Sequence, residues 1–119
     1  MFELTINNRV YQFNFGIGFV KEVNPCIKKP VDGVPGLEED VGVAYRIGQI
    51  IDGDVLALVS VLELANKGFE PRVTRKELEN YIDNPQTDIE TLFKDVLDFF
   101  KNANATKRVT NQILTAMNR

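Results

Sequence analysis

Apolar and polar side chains alternate over the first fifteen residues, which predicts a β-hairpin. Phe2, Leu4 and Ile6 alternate with Glu3 and Thr5; beyond Asn7-Asn8, Tyr11, Phe13 and Phe15 alternate with Gln12 and Asn14. Asparagine tolerates positive φ, so Asn7-Asn8 suits a two-residue type I′ turn. Such a turn sets Ile6 opposite Arg9, Leu4 opposite Tyr11 and Phe2 opposite Phe13. One face then gathers Phe2, Leu4, Tyr11 and Phe13, and the other Glu3, Thr5 and Gln12. A lone hairpin is marginal in water, so the apolar face must pack on helices.

Beyond the hairpin the period changes. Gly16-Ile17-Gly18 turns the chain into a short amphipathic stretch, Phe19 to Val23. Residues 24–40 hold three of the five prolines and two glycines, keep neither period, and read as a loop suited to insertion. From Val41 to Gly53 a helix places Val43, Ile47, Ile50 and Ile51 on one face, weakened at Gly42 and Gly48 by about 1 kcal/mol each relative to alanine. Asp54 is positioned to cap the next helix, Val55 to Lys67, which Gly68 stops. Val55, Leu56, Leu58, Val59, Val61, Leu62 and Leu64 coat nearly its whole circumference, which predicts a buried central helix. Thr74-x-x-Glu77 is a capping box before Leu78, Tyr81 and Ile82, closed by Asp83-Asn84-Pro85. Thr87-x-x-Glu90 reads as a second box, opening a helix with Ile89, Leu92, Phe93, Val96, Leu97 and Phe100 on one face and ending near Asn102 and Asn104. Thr106 leads into a last helix with Val109, Ile113, Leu114 and Met117 in one stripe.

The expected fold is α+β, predominantly helical: an N-terminal hairpin (2–15) packed on about five to six helices. It is organised as one domain over 1–119, with a loop at 24–40, a helical body at 41–103 and a C-terminal helix at 106–118. A chain of 119 residues, 44% apolar and 26% charged, has ordinary globular composition and buries about 65% of its unfolded surface. The most apolar segment, Val55 to Ala65, is shorter than the roughly 20 residues needed to span a bilayer. The N-terminus lacks a basic stretch followed by an apolar run, so a soluble intracellular protein is expected.

Chemistry is sparse. The chain has no histidine and one cysteine, Cys26, which excludes an intramolecular disulfide, ordinary zinc sites and any histidine-based triad. Gly16-x-Gly18 is followed by Lys21 where a dinucleotide loop needs its third glycine. Asp52-Gly53-Asp54 lacks the rest of a calcium loop. The carboxylate pairs Glu77/Glu79 and Asp95/Asp98 belong on solvated helix faces. Neither an enzyme nor a cofactor or metal site is expected. The net charge of −3 gives no general pull toward nucleic acid or anionic membranes. Its distribution is uneven, because every acidic residue lies at or before Asp98 while Lys101, Lys107, Arg108 and Arg119 follow. Residues 55–83 imitate a helix-turn-helix, with Arg72, Arg75 and Lys76 near the start of the second helix. This makes a small nucleic-acid-binding regulator the alternative reading, opposed by Glu70, Glu77, Glu79 and Asp83 in the same segment.

Four blocks follow one another in order: LTINNRVYQFNFGIGFVKEV, GDVLALVSVLELAN, RVTRKELENYID and DIETLFKDVLDFFKNANATK. Their order and spacing, from Phe2 to about Lys107, resemble the tail assembly chaperones of phages with long non-contractile tails, chiefly those of Gram-positive hosts. The resemblance implies a non-catalytic protein of the infected cell's cytoplasm, absent from the finished virion. It implies binding to the tape measure protein, the long helical protein that sets tail length, and help in recruiting tail-tube subunits. It also implies that a longer, frameshifted form can exist. A helical client is most simply gripped by laying apolar helix faces against a groove. The stripe Val109, Ile113, Leu114 and Met117 is the most separable apolar face. It has two readings: packing on its own domain, or client binding or self-association.

Overall fold

A computed structural model describes residues 2–118. Strands β1 (Phe2–Ile6) and β2 (Arg9–Phe13) form the expected antiparallel hairpin in the expected register, Phe2 opposite Phe13 and Ile6 opposite Arg9. Asn7 and Asn8 take φ of 54° and 64°, the left-handed pair that a type I′ turn demands. Helices follow at Ile17–Val23 (α1), Gly42–Ile51 (α2), Val55–Ala65 (α3), Arg75–Asp83 (α4), Ile89–Asn102 (α5) and Lys107–Met117 (α6). The fold is therefore α+β and predominantly helical.

The hairpin closes the core with aromatic rings. Phe2, Phe15 and Phe19 meet Phe99 and Phe100 of α5, and Phe13 packs on Phe2, with ring centroids 5.0 to 6.2 Å apart in edge-on and tilted arrangements. Such pairs contribute beyond their buried area, about 0.5–1.5 kcal/mol each. Phe99 joins them although it lies beside the predicted face of α5, because the hairpin extends over the flank of that helix.

A buried asparagine locks the hairpin to the helices. Asn66, the C-cap of α3, is fully buried. Its Nδ2 donates to the Gln12 carbonyl (2.9 Å) and the Pro71 carbonyl (3.4 Å), while its Oδ1 accepts from Val73 N–H (2.7 Å) and Arg72 (2.9 Å). Asn14 N–H donates to the Ala65 carbonyl alongside (2.9 Å). On the other flank Tyr11, also buried, donates its hydroxyl to Glu77 Oε2 at 2.7 Å. Glu77 is at the same time the acidic half of the capping box with Thr74, whose two reciprocal bonds are both present.

Four local expectations need correction. Residues 24–40 are not an irregular loop: a 3₁₀ turn at Asn24–Cys26 leads into strands β3 (Lys28–Pro30) and β4 (Glu38–Asp40), paired antiparallel. Three-residue strands leave no room for apolar alternation. The pairing instead sets Lys28 against Asp40 and Lys29 against Glu39, so the two charge runs neutralise each other across the ladder. The second capping box does not form. Asp88 caps α5 by accepting from Thr91 N–H (3.1 Å), and Thr87 turns its hydroxyl back to the Tyr81 carbonyl (2.6 Å). Helix α3 ends at Ala65 rather than Lys67, because Asn66 takes the C-cap and Gly68 the left-handed turn at φ 91°. Finally, α3 is not covered all round: Val55 and Leu56 are 47% and 65% exposed.

Gly42 acquires a packing role. A Cβ built there would lie 2.0 Å from the Val23 carbonyl oxygen, so only glycine lets α2 start against the end of α1. Around Gly48 such a Cβ meets nothing within 4 Å. Thermal unfolding should therefore separate the two: Gly42→Ala destabilises, whereas Gly48→Ala stabilises by up to about 1 kcal/mol, the helix-propensity difference. Asn66→Ala strands the buried Val73 N–H and the Gln12 carbonyl and should cost about 3 kcal/mol in denaturant titration.

The Thr74 and Tyr11 hydrogen bonds hold the Glu77 carboxyl below the usual carboxylate range, and the Thr91 bonds do the same for Asp88. The unfolded chain thus binds these protons more readily than the folded one. The stabilisation is complete above the ordinary carboxylate pKa and drains away as pH falls through the lowered folded values. Glu77→Gln should be less stable than the parent near about pH 7, with the gap closing toward about pH 3; a constant gap across that range would contradict the assignment.

Candidate partner-binding surface

The predicted stripe lies on α6, and the structure divides it. The first turn of α6 is tied down by two fully buried threonines. Thr106 and Thr110 both donate to the Phe100 carbonyl (2.8 and 3.2 Å), and Thr110 also donates to the Thr106 carbonyl (2.8 Å). From that anchor Val109 and Ile113 pack, half-buried, against the core. Leu114, the residue after Ile113, is half-buried, and Met117 in the last turn is 54% exposed. The stripe is therefore a docked half followed by a half that runs out toward solvent. Lys107, Arg108, Asn111, Gln112 and Thr115 line a shallow surface depression on the same helix.

A second apolar surface was not anticipated as a site. Val55, Leu56 and Val59 of α3 and Ile82 of α4 line a cleft of about 250 Å³, with Glu79 and Asp83 at its edge. Asp54 caps α3 by accepting from Ala57 N–H (3.1 Å), which fixes where the first turn begins and so where Val55 and Leu56 emerge. Arg75 clasps the two helices together through Glu63 (3.6 Å), Glu79 (3.4 Å) and Ser60 (3.3 Å). The available signal was the all-round apolar coating of α3. A helix with no polar face is either wholly buried or short of a partner, and at its first turn this one is short of a partner.

The residues that could have carried other chemistry are engaged elsewhere. Arg75 is paired with Glu63 of α3 and Glu79 of its own helix, and Arg72 donates to the Glu63 carbonyl (2.7 Å) and to Asn66. Two of the three cations of the helix-turn-helix reading are thus paired within the chain, although both side chains remain exposed. Cys26 is exposed, its thiol directed at the Glu22 carbonyl at 3.3 Å. Among the described residues no group of three or more acidic, cysteine or histidine side chains is placed to hold a metal ion. No helix among them is long and apolar enough to cross a membrane.

A small helix-dominated body that leaves apolar helix surface uncovered, with polar groups spent on internal locking, has the makings of a protein that binds other proteins. Residues 3–115 match the family model described as phage tail assembly chaperone protein, TAC, and the chain belongs to that family. No match is found among curated proteins or among solved structures. Membership makes the protein a chaperone of phage tail assembly.

If the inner half of the α6 stripe is structural, Ile113→Ser should lower the midpoint of thermal unfolding while Met117→Ser leaves it within about 0.5 kcal/mol of the parent. Equal losses at both positions would place Met117 in the core.

Proposed function

We propose that this chaperone holds the tape measure protein of a long-tailed phage, keeping its apolar helical segments soluble until tail-tube subunits are recruited around it. Assembly in the cytoplasm of the infected host, absence from the mature virion and an origin among phages of Gram-positive hosts belong to the same reading. The observation that carries it is uncovered apolar helix surface: Val55 and Leu56 stand exposed side by side at the first turn of α3, where they line a cleft, and Met117 is exposed at the end of α6. An amphipathic client helix gains by burying its apolar face there, at roughly 25 cal/mol per Å² removed from water. The α6 stripe takes part through its outer half, Leu114 and Met117, with Val109 and Ile113 seating the helix that presents them.

Capture by the tape measure protein of the same phage tests this. Leu56→Ser and Met117→Ser, each with an unchanged unfolding midpoint, should weaken binding about tenfold or more. Both variants binding like the parent would remove these surfaces from the client site. A complex that dissociates steeply with added salt and gains affinity for DNA would favour the nucleic-acid-binding alternative instead.

A further inference from the structure

The two outer edges of the N-terminal hairpin are treated differently by the fold. In a hairpin closed by a two-residue turn, the pairs Ile6–Arg9, Leu4–Tyr11 and Phe2–Phe13 exchange the ladder hydrogen bonds. The N–H and C=O groups of Glu3 and Thr5 on β1, and of Val10, Gln12 and Asn14 along β2, therefore point outward. On the β2 side that edge is closed from Gln12 onward by the end of α3, with the Gln12 carbonyl accepting from Asn66 and Asn14 N–H donating to Ala65, and only Val10 next to the turn stays open. On the β1 side no strand follows, and among the described residues neither Glu3 nor Thr5 makes an outward backbone hydrogen bond.

Beside the open edge lies a cleft of about 460 Å³. Thr5, Ile6 and Asn7 form one wall, and Asn80, Asn84 and Gln86, from α4 and the link to α5, stand among the residues of the other. Among the described residues the carboxamides of Asn80 and Gln86 make no side-chain hydrogen bond, so the Thr5 end of the open edge shares a cleft with donors and acceptors not engaged by these residues. The lining includes the carboxylates of Glu77 and Asp88 and no lysine or arginine, which disfavours an acidic occupant.

We propose that β1 is a docking edge for an extended, neutral-to-basic polar segment of a partner protein, about five residues long, which adds as a third strand and satisfies the backbone of Glu3 and Thr5. Its side chains toward the cleft meet Asn80 and Gln86. This is a different surface, and a different partner conformation, from the helix-binding one proposed above. The two can fail separately.

The probe is a display library of random peptides of about twelve residues, selected on the full chain. Selected peptides should be polar and non-acidic, and should slow amide hydrogen exchange at Glu3 and Thr5. Thr5→Pro removes only an outward N–H, the kind of edge position where proline is tolerated, and should reduce peptide affinity about tenfold or more. Val10→Pro, the matching change on β2, should leave affinity unchanged, as should Leu56→Ser on the helix-binding surface. The inference is overturned if no peptide is selected, if Thr5→Pro binds like the parent, or if protection falls on α3 and α4 instead. It is overturned equally if Glu3 and Thr5 are protected by raising the protein concentration alone, which would mean that two copies pair through this edge.

Discussion

The arrangement depends on one side chain. Asn66 ends the most apolar helix of the chain and is sealed from water, so its carboxamide must find every partner inside the protein. It does so by joining the second strand of the hairpin, 54 residues away, to the end of α3 and the link that begins α4. With that joint made, Phe15 is delivered to the rings of α5 and Phe13 packs on Phe2 beside it. A two-stranded element is marginal by itself, and this joint is what fixes its second strand against the end of α3. Tyr11 and Glu77 make a second, weaker joint on the opposite side. The hairpin is thus fixed at two points, and its aromatic face closes the core.

Legibility followed the range of the interactions. The hairpin register was readable because turn chemistry and side-chain parity are both local and had to agree at Asn7-Asn8. The Thr74–Glu77 box and the Asp54 cap were readable for the same reason, since each is completed within four residues. Thr87 was misread because Asp88, one position on, competes for the same role, and the outcome turned on a bond from Thr87 back to Tyr81. The β3–β4 ladder was invisible to hydrophobic periodicity because charges, not apolar residues, face each other across it. Asn66 was invisible as a joint because its partners lie up to 54 residues away. Of the α6 stripe, the helical spacing was correct, but spacing does not tell Val109 and Ile113, which meet the core, from Met117, which runs past it. The uncovered first turn of α3 departs in the opposite sense, since complete apolar coating predicts complete burial and Val55 and Leu56 are exposed.

The exposure of that turn bears on function. A local rule that fails at one turn of an otherwise consistent fold marks a place where something other than folding stability sets the residues. Val55 and Leu56 add nothing to solubility where they stand, yet Asp54 and Arg75 hold the surrounding helices firmly in place. A chaperone of tail assembly needs this combination: a stable body, few unpaired polar groups, and apolar surface kept in reserve for a partner. On this account stability and client binding are separable, because the joints at Asn66, Glu77 and Thr110 lie away from the exposed apolar positions.

Calorimetric titration of the chain with a helical segment of its tape measure protein, repeated over a range of temperatures, tests the central claim most directly. Burial of apolar surface on both partners predicts a clearly negative heat-capacity change and an affinity that hardly moves with salt. A heat-capacity change near zero, together with an affinity that falls steeply as salt rises, would contradict it.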